Sequence, residues 1–266
     1  MPASDYNEYL EFASRVASAA GAAILPHFRR SIAVEDKGGK ADYDPVTEAD
    51  RSAESVIRRE IQRAYPTHGI FGEEHGRTQG ASPLTWVIDP IDGTRSFILG
   101  QLHWGTLIAL HDGVEPVVGV MHQPFVGETF VAARGSVAQW RRGTERRTLK
   151  TRPCASVGDA IVATTDPRHF HTPERASIYR AVTDGTRLVR YGGDCYCYTL
   201  LAMGQVDIVI ETGLEPYDVQ ALIPIVESAG GRMTNWQGGP CDDGGDVLAC
   251  GDRSLHAHLL SRIASA

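Results

Sequence analysis

Residues 86–94, WVIDPIDGT, place two carboxylates at the end of an apolar run. The apolar residues predict a buried strand, and Pro90 constrains the backbone so that Asp89 and Asp92 are held apart. A carboxylate at such a position is costly unless something neutralises it. Two interpretations remain open for this pair: the carboxylates cap a turn or a helix, or they bind a cation.

Further carboxylates occupy comparable positions in the sequence. Glu73 and Glu74 follow the predicted strand IFG, and Asp218 opens the predicted helix YDVQALIPIVESAGG. Taken singly, the glutamates are typical of a solvated turn and the aspartate of a helix N-cap. Gathered together without Lys or Arg, the carboxylates would repel one another, which favours a bound cation. Oxygen ligands without His or Cys suit a hard ion, Mg²⁺ before Mn²⁺ or Ca²⁺.

Composition restricts the partners and the compartment. The formal net charge is -7, and no run of Lys or Arg exceeds two residues, so we expect neither nucleic acid nor an anionic membrane as a partner. The first residues are polar and acidic, unlike a signal peptide, and no apolar stretch approaches the length of a membrane span. Five cysteines without a CxxC pair indicate reduced thiols. We therefore expect a cytoplasmic protein.

The predicted elements divide the chain into two halves. Helical periodicity near the N-terminus and after Thr47 predicts two amphipathic helices, joined by a charged surface loop or hairpin and followed by a β-rich stretch. Strands and helices alternate later in the chain, which is typical of an α/β arrangement. We expect an N-terminal half, 1–140, with most candidate ligands, and a C-terminal half, 141–266, with Asp218 and the residues for substrate specificity.

Two histidine pairs also invite a metal-site interpretation. His169 and His171 are separated by one residue, as are His256 and His258. No acidic motif at a strand end surrounds either pair. We predict that all four are surface or capping residues.

Four segments occur in order along nearly the whole chain: DPVTEADRSAE, GIFGEEHG, WVIDPIDGTRSFILGQLHWGTLIAL and EPYDVQALIPIVESAGG. Together they resemble the inositol monophosphatase family, the lithium-sensitive, magnesium-dependent phosphatases. The resemblance implies an α/β (α+β) protein with a layered αβαβα sandwich, and a homodimer. The segments FILGQLHWGTLIAL, YGGDCYCYTLLAMGQVDIVIETGL and PYDVQALIPI are most similar to the histidinol-phosphate phosphatase branch.

The resemblance also implies roles for individual residues. Two or three Mg²⁺ ions would be bound by Glu73, Asp89, the main-chain carbonyl of Ile91, Asp92 and Asp218. In catalysis, Thr94 would orient the attacking water beside the metal ligand Glu73, with Asp50 polarising the threonine hydroxyl group. Lys40 would assist the third metal ion or its water from the loop before the second helix. Asp44 stands where relatives usually carry Ser, however, and Lys37 is a rival for this role.

Substrate binding is implied for a set that spans both halves: Asp92, Gly93, Thr94, Gly193, Asp194, Cys195, Glu211 and Asp218. Backbone N–H groups of Gly93 and Thr94, at the start of a predicted helix, would bind phosphate. Asp194 replaces the small hydroxyl residue usual in inositol phosphatases. With Glu211 it would make the leaving-group end of the pocket acidic, which suits a cationic leaving group such as L-histidinol. Alternatively, Asp194 caps the helix CYCYTLLAM.

The sequence therefore predicts a Mg²⁺-dependent phosphomonoesterase that hydrolyses L-histidinol phosphate in histidine synthesis. Phosphate monoesters are dianionic and repel nucleophiles, so a catalyst must neutralise charge and deliver water in line with the leaving oxygen. The nearest alternative is an inositol-1-monophosphatase or a broad sugar-phosphate phosphatase. A second alternative, a non-catalytic regulator that binds metal or phosphate, is disfavoured by the presence of every implied catalytic and metal-binding carboxylate.

Overall fold

The N-terminal region of the computed structural model contains two helices and a short hairpin. The structure describes residues 3–31, 33–36 and 45–266. The first elements are α1 (Ala3–Ile24), β1 (Val34–Asp36), β2 (Pro45–Thr47) and α2 (Glu48–Ala64). β1 and β2 pair antiparallel, so the predicted hairpin is present. Lys37, Lys40 and Asp44 lie outside the described residues, and the role of Lys40 stays a prediction.

The start of α2 is determined by a capping box. The hydroxyl of Thr47 accepts a hydrogen bond from the N–H of Ala49, and Asp50 Oδ2 accepts one from the N–H of Thr47 (2.9 Å). Ile57 and Ile61 lie on the buried face of the helix, as its helical periodicity predicts. The predicted helix after Thr47 is therefore confirmed.

An eight-stranded sheet follows α2. Its elements are β3 (Gly69–Gly72), β4 (Gly76–Thr78), β5 (Thr85–Asp92), α3 (Thr94–Ile98), β6 (Gly105–His111), β7 (Pro116–Gln123), β8 (Glu128–Ala133), β9 (Gln139–Arg142) and β10 (Glu145–Thr148). The strand order is β10-β9-β8-β7-β6-β5-β3-β4, and only the β3–β5 pair of this sheet is parallel. β5, which ends in the two aspartates, lies inside the sheet rather than at its edge.

A five-stranded sheet contains the remaining strands. The elements are β11 (Ile161–Thr164), α4 (Pro173–Thr183), β12 (Leu188–Tyr191), α5 (Asp194–Ala202), β13 (Ile208–Leu214), α6 (Pro216–Val219), α7 (Leu222–Ser228), β14 (Arg232–Asn235), β15 (Gly245–Cys250) and α8 (Arg253–Ile263). The strand order is β12-β11-β13-β15-β14, with β12, β11 and β13 parallel.

Three apolar clusters show how the layers stack. The first joins α1 and α2 to the face of β5 that carries Trp86. The second joins the opposite face, which carries Val87, to α5, α7 and the five-stranded sheet. The third joins the outer face of that sheet to α4 and α8, with Leu259 among its members. The order of layers is helix, sheet, helix, sheet, helix, so the predicted αβαβα sandwich is confirmed.

Some local predictions differ from the structure. The segment after Glu215 forms two helices, α6 and α7, because Pro224 has no N–H to donate and fits only in the first turn of a helix. His256 lies on α8 and is buried, with its Nε2 3.0 Å from the hydroxyl of Thr234. Its prediction as a surface or capping residue was therefore wrong. The strands β10 and β14 and the helix α8 were not predicted.

The division into residues 1–140 and 141–266 stays a prediction. The eight-stranded sheet continues to Thr148, the five-stranded sheet begins at Ile161, and both share the second apolar cluster. Within the described ranges, every helix is too short or too polar to cross a membrane.

Candidate active site

The two aspartates of β5 flank an irregularity in its pairing with β6. Asp89 lies opposite Leu107 and Asp92 opposite Gly105, with a register shift between them. Asp89 Oδ1 accepts a hydrogen bond from the N–H of Ile91 (3.0 Å), which turns the chain locally. Gly93 follows with φ 87°, a left-handed conformation that favours glycine. The bulge and the turn together direct both carboxylates toward the same cavity.

Asp218 completes a compact cluster with these aspartates. One carboxylate oxygen from each of Asp89, Asp92 and Asp218 lies within 4.8 Å of the others. Asp218 is the third residue of α6, and its Oδ2 accepts a hydrogen bond from the N–H of Glu215 (2.8 Å). Asp218 therefore belongs to a capping box whose N-cap is Glu215. Three carboxylates from distant parts of the sequence thus meet in one place.

Glu73 lies beside this cluster at the end of β3. Its N–H donates to the carbonyl of Ile88 (3.2 Å), and its carboxyl group is within hydrogen-bonding reach of Asp89. The structure therefore brings together all four carboxylates that the resemblance implied as metal ligands. Glu74 contributes its backbone N–H to a different carboxylate, Glu54.

The electrostatics of the cluster favour a cation. Burial, and then repulsion by Glu73 and Asp92, raise the pKa of Asp89 well above its ordinary value. Burial and repulsion by Asp92 do the same to the pKa of Asp218, and burial raises the pKa of Asp92 to about 7. Among the described residues, no Lys or Arg forms an ion pair with these three aspartates. A donor set made only of oxygens, with this excess negative charge, fits Mg²⁺.

A cavity of about 420 Å³ opens over the cluster. The candidate residues that line it are Glu73, Asp89, Ile91, Asp92, Gly93, Thr94, Asp194, Cys195, Glu211 and Asp218. Gly193 and Asp50 are not part of this lining: Gly193 is the N-cap residue of α5, and Asp50 is buried in α2. The cavity is therefore shared by residues from both sheets.

Asp194 lies at the start of α5 in an unusual conformation. Its φ is 42°, which is rare for a residue other than glycine, and its Oδ2 accepts a hydrogen bond from the hydroxyl of Ser96 (2.8 Å). The N-cap residue of α5 is Gly193, and Asp194 is the first residue of the helix. Asp92 Oδ2 instead accepts from the N–H of Cys195 (2.7 Å), in the first turn of that helix. The helix-cap alternative for Asp194 is therefore wrong.

Glu211 lies on β13 with its carboxylate already engaged. Its Oε1 accepts hydrogen bonds from the N–H (2.6 Å) and hydroxyl (2.9 Å) of Thr165, and its Oε2 accepts from the hydroxyl of Thr164 (3.3 Å). Burial raises the pKa of Glu211 to about 8 despite these donors. Burial likewise raises the pKa of Asp194. Both carboxyl groups are thus poorly stabilised as anions, and a cationic ligand would stabilise them.

Thr94 and Asp50 have separate hydrogen-bond partners in this structure. The hydroxyl of Thr94 donates to the carbonyl of Ile91 (3.0 Å). Asp50 Oδ2 accepts from Thr47, whereas its Oδ1 is buried and has no hydrogen-bond partner in the described part of the chain. Burial raises the pKa of Asp50 to about 6. The pairing of Asp50 with Thr94 stays a prediction.

Arg95 and His169 line the cavity but were not among the candidate residues. Arg95 Nη1 lies 3.4 Å from His169 Nε2, so the two side chains meet at the cavity. His169 is partly exposed, in agreement with its prediction as a surface residue, but its place at the cavity was not predicted. One signal was available, because this histidine follows the carboxyl end of β11, and such strand ends carry binding residues in parallel sheets.

A layered α/β fold with a carboxylate cluster in a cavity between two sheets defines a class of proteins. The chain belongs to the inositol monophosphatase family, whose model matches residues 5–266. It is 36% identical to the bifunctional phosphatase IMPL2, chloroplastic, of Arabidopsis thaliana, over 98% of this chain and 76% of the relative. A histidinol-phosphatase of Chlorobaculum parvum is 35% identical over 96% of both chains. The structure of an inositol monophosphatase from Zymomonas mobilis superposes with a TM-score of 0.86 and 38% identity, covering 97% of this chain and 98% of that one.

Proposed function

We propose that this protein is a Mg²⁺-dependent phosphomonoesterase that hydrolyses L-histidinol phosphate to L-histidinol and phosphate in histidine synthesis. One observation carries the proposal: the cavity over Asp89, Asp92 and Asp218 also presents Asp194 and Glu211. The three clustered aspartates suit metal ions, whereas Asp194 and Glu211 suit a cationic leaving group. The similarity to the Chlorobaculum parvum histidinol-phosphatase supports the same substrate.

Two or three Mg²⁺ ions would be held by the carboxylates of Glu73, Asp89, Asp92 and Asp218 and by the carbonyl of Ile91. Bound Mg²⁺ would supply charge neutralisation for the phosphate dianion and a more acidic water as the nucleophile. The carbonyl of Ile91 has a second lone pair beside the one that Thr94 uses, so it is able to serve both partners.

Thr94 would orient the attacking water. Because its hydroxyl donates to Ile91, the threonine oxygen is left with lone pairs that accept a hydrogen bond from water. The backbone N–H groups of Gly93 and Thr94, at the start of α3, have no partner within the helix and would hold the phosphate oxygens. The buried Oδ1 of Asp50, which has no hydrogen-bond partner among the described residues, would accept a hydrogen bond from a hydroxyl or water of this assembly.

Asp194 and Glu211 would select the leaving group. Both carboxyl groups have a raised pKa because they are buried, so ionisation of either is costly until a cation approaches. The ammonium or imidazolium group of histidinol would supply that cation. Ser96 and Thr165 hold the two carboxylates in place, which reduces the entropy lost when the substrate binds.

The alternative substrate is inositol phosphate, which the similarity to the Zymomonas mobilis structure favours. Phosphate release should be measured from histidinol phosphate, inositol 1-phosphate and fructose 1,6-bisphosphate, each with Mg²⁺ and with a chelator. We expect the highest kcat/KM for histidinol phosphate and no activity with the chelator. A preference for inositol phosphate would exclude the proposed substrate, and no turnover of any substrate would favour the regulator alternative. The homodimer and the cytoplasmic location stay predictions.

A further inference from the structure

Glu54 of α2 is a fully buried carboxylate that lies outside the cavity lining. Its Oε2 accepts a hydrogen bond from the N–H of Glu74 (2.7 Å), and its Oε1 accepts from the N–H of His75 (3.1 Å). Oε1 also accepts from Nε of Arg58 (2.7 Å), one helical turn later. A buried carboxylate is costly, and two of these three hydrogen bonds come from one short turn.

That turn carries Glu73, the implied metal ligand. The N–H of Glu73 donates to the carbonyl of Ile88, the residue before Asp89, at 3.2 Å. The N–H groups of the next two residues donate to Glu54. Three successive backbone N–H groups are therefore held, the first by β5 and the others by α2. This arrangement leaves the backbone at Glu73 little freedom to change the direction of its side chain.

The residues around Glu54 leave room for its carboxyl group and neutralise its charge. A Cβ atom at position 72 would overlap the Glu54 carboxyl group, so glycine is required there for the close approach. Arg58 neutralises Glu54 and also binds the far side of the turn, donating to the carbonyl of Gly76 and to the hydroxyl of Thr78 (3.1 Å). The Glu54–Arg58 pair thus attaches the whole β3–β4 turn to α2.

We propose that Glu54 is a positioning residue of the metal site, which holds the N–H groups of Glu74 and His75 so that the Glu73 carboxylate points at Asp89. The inference rests on the proposed function, because it takes Glu73 as a metal ligand. Groups that orient ligands in this way typically change metal affinity about 10- to 100-fold when they are replaced. Glu54 therefore acts on metal binding through the backbone, without contact with metal or substrate.

The test measures Mn²⁺ binding by electron paramagnetic resonance, with neither substrate nor Mg²⁺ present. Glu54→Gln keeps the size of the side chain but directs an amide N–H₂ group at backbone donors. We expect it to weaken the tightest Mn²⁺ site about 10- to 100-fold. Glu60→Gln is the matched control, because Glu60 lies on the same helix and pairs only with Arg59 and Arg63 among the described residues. Its Mn²⁺ affinity should equal that of the wild type.

A double-mutant cycle with Glu73→Gln separates positioning from a general loss of stability. If Glu54 acts through Glu73, then Glu54→Gln should cause little further loss of Mn²⁺ affinity once Glu73 has been replaced. Additive losses would overturn the inference, as would an Mn²⁺ affinity of Glu54→Gln equal to that of Glu60→Gln. Circular dichroism checks that each variant is folded.

Should Glu54→Gln fail to fold, Glu54→Asp replaces it in the cycle. The shorter side chain keeps its charge near Arg58 but withdraws the carboxylate from the turn, and the same non-additive loss is expected. Failure of the proposed function is distinguishable from failure of the inference. Wild-type protein that binds no Mn²⁺ would reject the metal site itself, whereas normal wild-type binding with unchanged variants would reject only the role of Glu54.

Discussion

Asp92 accepts a hydrogen bond at 2.7 Å from the backbone N–H of Cys195, a residue 103 positions later in the chain. The contact joins the end of β5 to the first turn of α5, where the helix dipole favours a negative charge. It uses one lone pair of the Asp92 carboxylate, which has further lone pairs to offer to a cation. The helix that carries Asp194 is therefore attached directly to the implied metal site, and we expect the two to respond together to substitution.

Asp92→Asn should preserve the fold and nearly abolish turnover. The amide oxygen is able to accept the hydrogen bond from Cys195, but the residue loses the charge that would bind Mg²⁺. We expect kcat to fall on the order of 1,000-fold, as when a strong electrostatic contact to the transition state is lost. Steady-state kinetics over a range of Mg²⁺ concentrations measure both effects. Near-normal turnover would reject a metal-dependent mechanism at this cluster.

Thr94→Ala should lower kcat by roughly 100-fold with a smaller change in KM, because the hydroxyl would act mainly in the transition state. Thr94→Ser is the control that retains the hydroxyl and should keep most of the activity. Solvent labelled with ¹⁸O should deliver its oxygen to phosphate in the wild type, since water attacks directly. A raised KM with unchanged kcat would make Thr94 a binding residue only.

Asp194→Asn should change substrate preference. Asparagine tolerates the positive φ of this position, so the substitution removes the charge with little strain. We expect activity on histidinol phosphate to fall roughly 10- to 100-fold, the value of a lost charge-assisted hydrogen bond of about 1.5–3 kcal/mol. Activity on inositol phosphate should be maintained or improve.

Ser96→Ala serves as the control for Asp194→Asn, because it removes the hydrogen bond to Asp194 and keeps the charge. Equal losses on histidinol phosphate and inositol phosphate in Asp194→Asn, accompanied by a lower melting temperature, would assign a structural role to Asp194 instead.

The metal-free protein should become less stable as the pH rises from about 4 to about 8. The pKa is raised to about 6 at Asp50, about 7 at Asp92 and about 8 at Glu211, mainly by burial. Carboxyl groups in the unfolded chain have a pKa near 4, so between about pH 4 and pH 8 these three groups bind more protons in the folded state. Burial lowers the pKa of His122 and His256 to about 4, and these histidines oppose the effect only below about pH 6.5. The stabilisation is complete below pH 4 and is lost as the pH passes the raised values.

Mg²⁺ should reduce this pH dependence, because a cation favours the ionised carboxylates. Melting temperatures measured from pH 4 to pH 9, with chelator and with Mg²⁺, test the prediction. Asp92→Asn should flatten the curve obtained with chelator, since it removes one of the titrating groups. Identical curves with and without Mg²⁺ would contradict the assignment of a cation to this cluster.

Local sequence patterns predicted much of this protein. The helix after Thr47 begins with a capping box that is complete within four residues, and the carboxylates of β5 follow an apolar strand directly. Such features depend on residues that are neighbours in sequence, so they can be predicted without knowledge of the tertiary structure. The order of four motifs then identified the family and its layered architecture, which the structure confirms.

Other features required the tertiary structure. The sequence gives no sign that Glu54 contacts the turn after β3, or that His169 contacts Arg95 at the cavity, because these partners lie 20 and 74 positions away. The contact between Asp92 and Cys195 joins a strand of the eight-stranded sheet to a helix far along the chain. The sequence by itself determined which carboxylates were available and where each strand or helix would present them. Only the tertiary structure decided which of these carboxylates lie together and how far their pKa values are raised, because burial and electrostatic repulsion depend on distances in space.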